Sequence, residues 1–327
     1  MYIITGGAGF IGSALVWELN NRGIEDIIIA DHLGTGEKWK NLVPLKYIDY
    51  YEKEDMRELI NKNSGILADA SVIIHLGACS STMETDASYL VDNNFNYSKE
   101  LADFAVKNSI RMIYASSAAT YGDGSLGYKD DESEIHKLRP LNMYGYSKQM
   151  FDLWVRKKNL LPKLTGLKFT NVYGPNEWHK DDMRSLVCKA YEQIKEIGKL
   201  KLFKSHHPDY KDGEQMRDFL YIKDAVKMIT HVIDTEISGI YNIGSGKAET
   251  WNKLATAIFE GMNLEPNIEY VDMPEHLRNK YQYYTKADMT KFTATGYSST
   301  AMPLRDAVID YVGNHLIPSA HLEPNSQ

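Results

Sequence analysis

The chain has 327 residues, which is enough for two domains or for one large α/β body with a lobe. Hydrophobic residues make up 43% of it, which excludes a largely disordered chain, and its net charge of −7 argues against nucleic acid or an anionic membrane as a partner. Because it has two cysteines, no apolar run of 18 residues and no basic leader with a cleavage site, we expect a cytoplasmic protein without disulfides, membrane spans or a signal peptide.

Short apolar segments alternate with segments of helical length through the first half of the chain. The apolar segments are predicted strands, at residues 2–5, 26–31, 71–76, 111–115 and 164–169. Helices are predicted between them, at residues 13–21 and 89–108. Because strands that are apolar throughout are covered on both faces, we predict an α/β fold with a Rossmann, doubly wound parallel sheet.

The sequence changes character after Tyr173, where a helix-like stretch at residues 182–197 and a loop rich in His and Asp precede one more short strand at residues 239–244. We therefore predict a Rossmann domain that binds a dinucleotide at residues 1–172, to which residues 218–245 return. A smaller C-terminal substrate-binding lobe is predicted at residues 173–217 and 246–315, followed by a loose tail at residues 316–327.

Glycines recur between the first predicted strand and the first predicted helix. Gly6, Gly9 and Gly12 would allow a tight turn, the approach of a phosphate to the backbone, and close packing of the helix against the strand. Asp31 ends the next strand, 19 residues past Gly12, where an acid can bond the ribose of a dinucleotide. This pattern predicts a dinucleotide cofactor at the turn.

The residues leave the choice between NAD and NADP open. Asp31 favours NAD, because its carboxylate would repel the 2′-phosphate of NADP. His32, Lys38 and Lys53 follow in the sequence, however, and a lysine can pair with that phosphate.

Tyr144 and Lys148 are four residues apart in a segment of helix formers, so their side chains share one helix face. A free phenol, with a pKa near ~10, is a poor base at neutral pH, but a nearby cation lowers that pKa. Tyr144 would then take a proton from a substrate hydroxyl as hydride leaves for the cofactor. Ser117, which follows the fourth strand, can donate to the same substrate oxygen, or it can simply cap the strand end.

These features together resemble the extended short-chain dehydrogenase/reductase family over nearly the whole chain. Five motifs occur in the same order as in that family: the glycine turn, Ser117, the Tyr144–Lys148 pair, residues 171–175 (NVYGP) and residues 217–221 (RDFLY). More specific stretches are similar to the branch that epimerises ADP-heptoses: residues 76–82, 92–94, 115–122, the pair His179-Lys180, and residues 281–282 with 285–288.

The resemblance implies an epimerisation at C6 of an ADP-heptose through transient oxidation by tightly held NADP, with NAD as the second choice. The product would supply the lipopolysaccharide core. Inversion requires an acid/base group for each orientation of the sugar, and the matching residues are Tyr144 and Lys180. Without the resemblance, Lys180 would be interpreted as a solvated surface lysine. A ring-like homo-oligomer such as a pentamer is also implied.

The resemblance further implies a set of binding residues, matched position by position. In addition to the glycine turn, the cofactor positions are Phe10, Ile11, Asp31, His32, Lys38, Lys53, Leu76, Gly77, Ala78, Cys79, Ser80, Asn93, Tyr144, Lys148, Val172 and Lys180. In addition to Ser117, the substrate positions are Asn171, Asp182, Lys189, Phe203, Lys204, Ser205, His206, Arg217 and Tyr281. For Arg217 the residue type itself supports this assignment, because a planar guanidinium can bind a diphosphate through two hydrogen bonds. The alternative is an ion pair with Asp218 or another neighbour. His32, Leu76, Asp182 and Lys189 depart from the residues usual in the family.

Other functions are weighed against this one. A dehydratase of the same family would carry an Asp-Glu pair after Ser117, where this chain has Ala118-Ala119-Thr120. A UDP-hexose 4-epimerase would need no Lys180, and a binding protein without catalysis would not need Ser117, Tyr144 and Lys148 together. No metal site is expected, because His206-His207 lacks further ligands at suitable spacing and His75 lies in an apolar strand.

Overall fold

A central parallel sheet dominates the computed structural model, which describes residues 1–278 and 281–325. Its seven strands are β1 (Tyr2–Thr5), β2 (Ile27–Asp31), β3 (Asp49–Glu52), β4 (Val72–His75), β5 (Arg111–Ser117), β6 (Leu164–Phe169) and β11 (Gly239–Ile243). They lie in the order β11-β6-β5-β4-β1-β2-β3, and every neighbouring pair is parallel. The predicted fold class is therefore confirmed.

Smaller elements surround this sheet. The remaining strands form three two-stranded ribbons: β7 (Asn171–Tyr173) with β10 (Phe219–Tyr221), β9 (Met216–Arg217) with β12 (Glu249–Thr250), and β8 (Leu200–Phe203) with β13 (Ile268–Val271). The α-helices are α1 (Phe10–Asn21), α2 (Lys53–Asn61), α3 (Ala87–Leu90), α4 (Tyr97–Lys107), α5 (Met143–Lys157), α6 (Leu186–Ile197), α7 (Ile222–Thr235), α8 (Trp251–Gly261), α9 (Glu275–Arg278), α10 (Thr290–Thr293) and α11 (Leu304–Tyr311).

The central strands are apolar throughout because alternate side chains enter two different cores. Ile4, Ile29 and their counterparts on the other strands pack with α1 and α7 on one face. Ile3, Ile28 and their counterparts pack with α2, α4 and α5 on the other. A sheet buried on both faces leaves only its strand ends open to a ligand.

The strand order reverses between β1 and β4. The chain runs outward from β1 through β2 to β3, and then crosses back to place β4 on the other side of β1. In such sheets a crevice opens at the carboxyl ends of the two strands that flank the reversal. The glycine turn follows β1 and residues 76–80 follow β4, so both predicted cofactor segments border this crevice.

Three features of the elements differ from the predictions. The polar edge strand β3 has no apolar run to indicate it, and the sequence did not predict it. The helix predicted at residues 89–108 is instead α3 and α4 joined by a π-helical segment, Val91–Asn96. The helix predicted at residues 182–197 begins only at Leu186, after Ser185 caps it by accepting a hydrogen bond from the Cys188 N–H.

The prediction of a loose C-terminal tail is wrong for its described part. Leu322 is 2% exposed, and its N–H donates to Asn176 Oδ1 at 3.0 Å. The indole N–H of Trp17, on α1, donates to the Glu323 carbonyl at 2.9 Å. Polar composition indicated a solvated end, but one buried leucine and these hydrogen bonds hold it against α1 and Asn176. The domain boundaries themselves stay a prediction.

No helix within the described ranges is long and apolar enough to cross a membrane.

Candidate active site

The glycine turn is shaped by two close backbone approaches, at Gly6 and at Gly12. Gly6 has φ +71°, and a Cβ there would lie 2.5 Å from the Gly77 nitrogen. A Cβ on Gly12 would lie 2.0 Å from the Gly6 carbonyl oxygen. The turn delivers the chain directly into the N-terminus of α1, where free N–H groups favour a phosphate. This cradle fits the pyrophosphate of a dinucleotide, because side chains would fill it.

Asp31 lies beside this turn at the end of β2. Its Oδ2 accepts a hydrogen bond from the Ala8 N–H at 2.9 Å, and its Oδ1 pairs with Lys38 Nζ. Lys38 Nζ also donates to the His32 carbonyl at 3.2 Å. The carboxylate that would repel a 2′-phosphate is thus already neutralised by a lysine that faces the same cavity.

The cavity measures about 1220 Å³ and joins the glycine turn to residues of the second half of the chain. Twenty of the predicted site residues line it: Gly6, Gly9, Phe10, Ile11, Gly12, Asp31, Lys38, Leu76, Gly77, Ala78, Cys79, Ser80, Ser117, Tyr144, Lys148, Asn171, Val172, Lys180, Arg217 and Tyr281. A cavity of this volume can hold one extended ligand or two adjacent ones, such as a cofactor and a substrate.

Nine predicted residues do not line this wall: His32, Lys53, Asn93, Asp182, Lys189, Phe203, Lys204, Ser205 and His206. On the cofactor side, Lys53 donates to Asn93 Oδ1 at 3.2 Å, and His32 lies 3.1 Å from Glu52. On the substrate side, Lys189 donates to the Asp182 carbonyl at 3.2 Å.

The loop after β8 also turns to other partners. The Ser205 N–H donates to Asp212 Oδ1 at 2.7 Å, Lys204 pairs with Asp272 at 3.4 Å, and Phe203 and His206 are exposed. Ligand contacts by these nine residues stay predictions.

Tyr144, Lys148 and Ser117 come together at the carboxyl end of β5. Asn142 caps α5 by accepting a hydrogen bond from the Gly145 N–H at 2.8 Å, which sets Tyr144 in the first turn. Burial raises the pKa of Tyr144, and a hydrogen bond with Ser117 opposes that rise. Ser117 also accepts from the Ala119 N–H at 3.1 Å, so it caps the strand end as well as facing Tyr144.

Lys148 is 5% exposed and donates to the Ala115 carbonyl at 2.9 Å. Burial lowers its pKa to about 8, so the ammonium form still dominates at neutral pH. The side chain is therefore a fixed positive group one helical turn beyond Tyr144. That is the geometry which the four-residue spacing predicts.

Lys180 enters the same cavity from a different element, the 3₁₀ turn Trp178–Met183. Its Nζ lies 5.0 Å from the centre of the Phe10 ring, at the start of α1. Burial lowers the pKa of Lys180 and Lys189 reinforces that change, whereas Glu177 opposes it. A lysine in this setting can lose or gain a proton more readily than one on the surface.

Arg217 is 7% exposed and lies beside two aromatic rings. Its guanidinium carbon is 5.6 Å from the Trp251 ring centre and 5.0 Å from that of Tyr281. Asp218 is not its partner, because that carboxylate accepts from Ser245, Gly246 and Ala287. Among the described residues Arg217 has no acidic partner and donates only to the Met216 carbonyl, at 2.8 Å. A buried, uncompensated guanidinium on a cavity wall favours an anionic ligand.

Sequence reasoning missed two residues that shape this wall. Asn94 accepts from the Cys79 N–H and donates to the Cys79 carbonyl, both at 2.9 Å, and it also donates to Ser147. From the sequence, a cofactor contact was assigned to its neighbour Asn93 instead. The pair of adjacent asparagines was the one feature of the sequence that could have indicated Asn94. Trp251 carries no local motif, so nothing in the sequence indicated that it contacts Arg217.

No group of three His, Cys, Asp or Glu suited to a metal ion occurs in the part of the chain that the structure describes. His75 hydrogen-bonds Thr5 Oγ1 at 2.6 Å and Ser98 Oγ at 2.8 Å, and burial lowers its pKa to about 3. It is a neutral core histidine.

The fold and the cavity define a Rossmann-type protein with a site that fits a dinucleotide, and the sequence comparison gives its family. The chain belongs to the NAD dependent epimerase/dehydratase family, which it matches over residues 2–244. This confirms the family that the motifs predicted and indicates a nicotinamide dinucleotide cofactor.

Curated relatives carry a more specific name. The chain is 52% identical over 317 residues to the ADP-L-glycero-D-manno-heptose-6-epimerase of Nitratidesulfovibrio vulgaris strain DP4, covering 97% of this chain and 98% of that protein. A protein of the same name from Fusobacterium nucleatum is 48% identical over 327 aligned residues, with 97% and 98% covered.

Solved structures agree with the fold. The Helicobacter pylori ADP-L-glycero-D-manno-heptose-6-epimerase has a TM-score of 0.78 at 25% identity, covering 96% of this chain and 95% of that one. The UDP-N-acetylglucosamine 4-epimerase from Methanobrevibacter ruminantium M1 has a TM-score of 0.81 at 23% identity, covering 98% of each chain. At that identity the second likeness concerns the fold alone.

Proposed function

We propose that the protein converts ADP-D-glycero-D-manno-heptose to ADP-L-glycero-D-manno-heptose by inverting C6, in the cytoplasm, as a supply for the lipopolysaccharide core. The observation that carries this proposal is the meeting of Tyr144 and Lys180, from two separate elements, on one cavity beside the glycine turn. Inversion through oxidation and reduction needs an acid/base group for each orientation of the sugar. The names of the curated relatives support the choice of substrate.

The glycine turn and Lys38 would hold NADP, whose nicotinamide would supply a hydride acceptor for C6 and then a hydride donor to the opposite face of that carbon. Tyr144 would take the C6 hydroxyl proton in one orientation, and Lys180 would return a proton to the ketone oxygen in the other. Ser117 can donate to the same oxygen beside Tyr144. Since the proton and the hydride lost in the first half are both regained in the second, the sugar undergoes no net oxidation.

Arg217 would bind the diphosphate of the ADP group. Its guanidinium is buried and has no acidic partner among the described residues, so a diphosphate would supply the missing negative charge. The rings of Trp251 and Tyr281 hold the fork in place. With the diphosphate anchored, the oxidised heptose could turn within the cavity without leaving the protein.

The proposal of NADP rather than NAD depends on Lys38. Because Lys38 already neutralises Asp31, we expect Lys38→Glu to weaken NADP at least ~10-fold more than NAD, the scale of a lost charge-assisted hydrogen bond. Calorimetric titration of the cofactor-stripped protein with each dinucleotide measures this. Lys40→Glu is the matched control, since Lys40 has the same charge but pairs with Glu37. Equal losses for NADP and NAD would remove Lys38 from phosphate recognition.

The function is tested by two measurements on the purified protein. Mass spectrometry of the copurifying dinucleotide identifies the cofactor, and incubation with each ADP-heptose epimer measures interconversion by chromatography. We expect NADP, and the same final mixture from either epimer. Conversion of UDP-glucose to UDP-galactose with none of ADP-heptose would replace the proposal by a 4-epimerase.

A further inference from the structure

Glu177 is a fully buried carboxylate three residues before Lys180, and the chemistry proposed above gives it no role. We infer that Glu177 is the positioning residue for Lys180, because its carboxylate fastens both ends of the loop that carries the lysine. The inference rests on the acid/base role proposed for Lys180, and it names the device that fixes that side chain.

The Glu177 carboxylate accepts four hydrogen bonds from three parts of the fold. Before Lys180 in the chain, the Gly174 N–H donates to Oε1 at 3.4 Å. After it, Ser185 donates through its N–H to Oε2 at 2.5 Å and through its hydroxyl to Oε1 at 2.6 Å. The Tyr311 hydroxyl, from α11, donates to Oε1 at 3.0 Å. One side chain thus closes a loop of about a dozen residues and attaches it to a C-terminal helix.

The loop needs such an anchor because its backbone is strained next to Lys180. Asp181 has φ 46° and ψ −123°, a combination that a residue other than glycine rarely adopts. The Lys180 N–H donates to the Glu177 carbonyl at 3.0 Å, which places the lysine within the same turn as the carboxylate. Loss of the anchor would release the strain and displace the ammonium group from the cavity.

Glu177 also has the charge to act on Lys180. Ser185 is the N-cap of α6, so the carboxylate lies at the positive end of a 12-residue helix, where ionisation is favoured. Burial raises the pKa of Glu177, and Lys180 together with the Ser185 and Gly174 hydrogen bonds offsets only part of that rise.

The other groups that act on this pair are few. Lys189, from α6, disfavours the charged form of Lys180, whereas Glu177 favours it. Cys188 and Tyr311 also interact with the Glu177 carboxylate, and burial keeps both of them neutral by raising their pKa values. His179, next to Lys180 in the chain, is neutral as well, because burial and nearby lysines lower its pKa to about 4. Removing the Glu177 charge therefore leaves Lys189 unopposed and lowers the pKa of Lys180.

The first test compares kcat with KM in Glu177→Gln. The amide is nearly isosteric but loses the charge and part of the hydrogen-bonding capacity. We expect kcat for ADP-heptose to fall at least ~10-fold while KM changes less than about twofold, since a small displacement of a reacting group acts on the chemical step. The matched control is Glu132→Gln, because Glu132 also accepts from a backbone N–H and a lysine but lies off the cavity. A kcat within threefold of the original protein overturns the inference.

The second test needs no activity. The cofactor-bound protein is labelled with trace acetic anhydride across a pH series, and mass spectrometry follows acetylation of Lys180. In Glu177→Gln the labelling midpoint should move to lower pH by at least about 1 unit, the scale of a lost opposite charge nearby. An unchanged midpoint overturns the inference.

Ser185→Ala provides the test if Glu177→Gln does not fold, because it removes one donor and keeps the carboxylate. It should lower kcat by roughly 3- to 10-fold, the scale of one weakened hydrogen bond. A kcat equal to that of the original protein would count against a positioning role of Glu177. If instead Lys180→Met alone proves fully active, the proposed function of Lys180 fails. The labelling midpoint would still show, independently of activity, whether Glu177 acts on the Lys180 ammonium.

Discussion

Tyr144 is a partly buried phenol whose pKa is raised above its ordinary value, chiefly by burial, while a hydrogen bond with Ser117 opposes that rise. Without the cofactor, Tyr144 therefore keeps its proton at neutral pH. The positive nicotinamide ring and the Lys148 ammonium would favour the phenolate during the reaction. The protonation state of Tyr144 thus depends on the bound cofactor and on Lys148.

Replacing Tyr144 by phenylalanine removes the hydroxyl and little else. We expect Tyr144→Phe to lower turnover at least ~100-fold, the usual scale for a lost acid/base group, with cofactor still bound. Turnover is measured with ADP-heptose, and bound cofactor by its absorbance after purification. Tyr146→Phe is the control, because Tyr146 lies on the same helix but is 47% exposed. Near-normal turnover in Tyr144→Phe would exclude it as the acid/base group.

Lys180 separates an epimerase of the proposed kind from an ordinary dehydrogenase. Lys180→Met keeps the length of the side chain and removes the amine, so we expect epimerisation to fall at least ~100-fold with the cofactor still held. Lys195→Met is matched to it, since Lys195 also lies over an aromatic ring, 5.9 Å from that of Tyr191, but is exposed on α6. A loss under about threefold would return Lys180 to a surface role, where substitutions change little.

The residues predicted from sequence fall into two groups with different physical origins. Tyr144 and Lys148 were found from local spacing, because a helix fixes the relation of positions four apart. Lys180 was found only by resemblance, since its burial depends on Phe10, which is far away in the chain. Glu177 and Trp251 were missed because their contacts are made by tertiary packing, which no local pattern encodes.

The glycine turn is the element whose geometry the sequence predicted most fully. A Cβ on any of its three glycines would lie close to backbone atoms of the turn itself or of the residues after β4. The spacing of the glycines therefore predicts the shape of the turn. The helix that follows begins at Phe10, three residues earlier than predicted, because the turn leads directly into it. Position 12 is therefore already inside α1, packed on the Gly6 carbonyl.

A methyl group at position 12 tests this packing. Its Cβ would lie 2.0 Å from the Gly6 carbonyl oxygen, so the turn has to open. We expect Gly12→Ala to weaken cofactor binding at least ~10-fold and to lower the melting temperature, because overpacking costs ~1–3 kcal/mol. Calorimetry of binding and thermal unfolding measure both. Gly36→Ala, where a Cβ meets nothing within 4 Å, should leave both unchanged. Unaltered affinity in Gly12→Ala would show that the turn does not hold the cofactor.

Whole elements were predicted where they are apolar and buried, and missed where they are not. The strands at residues 2–5 and 164–169 match the structure, since both faces of the sheet are covered there. The edge strand Asp49–Glu52 pairs with β2 through its backbone, and its polar side chains gave no signal. The π-helical segment Val91–Asn96 was missed because a helix pattern does not distinguish an added residue per turn.

At the scale of the whole molecule, one cavity collects residues that are distant in the chain. The turn after β1, Ser117 at the end of β5 and Tyr144 on α5 meet because the carboxyl ends of parallel strands share one edge of the central sheet. Lys180 reaches the same cavity after β7, which pairs with β10 in a separate ribbon. Arg217 reaches the same cavity from the second half of the chain. A homo-oligomer, such as the pentamer that the resemblance implies, stays a prediction that light scattering can test.

The C-terminal segment joins the two ends of the chain, and its contribution to stability can be measured at one residue. Leu322 is 2% exposed and belongs to the same core as α1, while its N–H reaches Asn176 near the Lys180 loop. Truncating a buried leucine to alanine typically costs ~2–5 kcal/mol, because apolar contacts are lost and a cavity is left.

Leu322→Ala should therefore lower the melting temperature of the cofactor-bound protein by about 3 °C or more, given the unfolding entropy of a chain of this length. Leu264→Ala is the control, since Leu264 is 47% exposed and its truncation should shift the free energy of unfolding by no more than ~0.5 kcal/mol. Thermal scans at one concentration of protein and cofactor give both values. If the two variants melt together at the temperature of the original protein, the end of the chain is loose in solution, as its composition had suggested. If only Leu322→Ala melts early, the segment belongs to the folded core in solution, as the burial of Leu322 indicates.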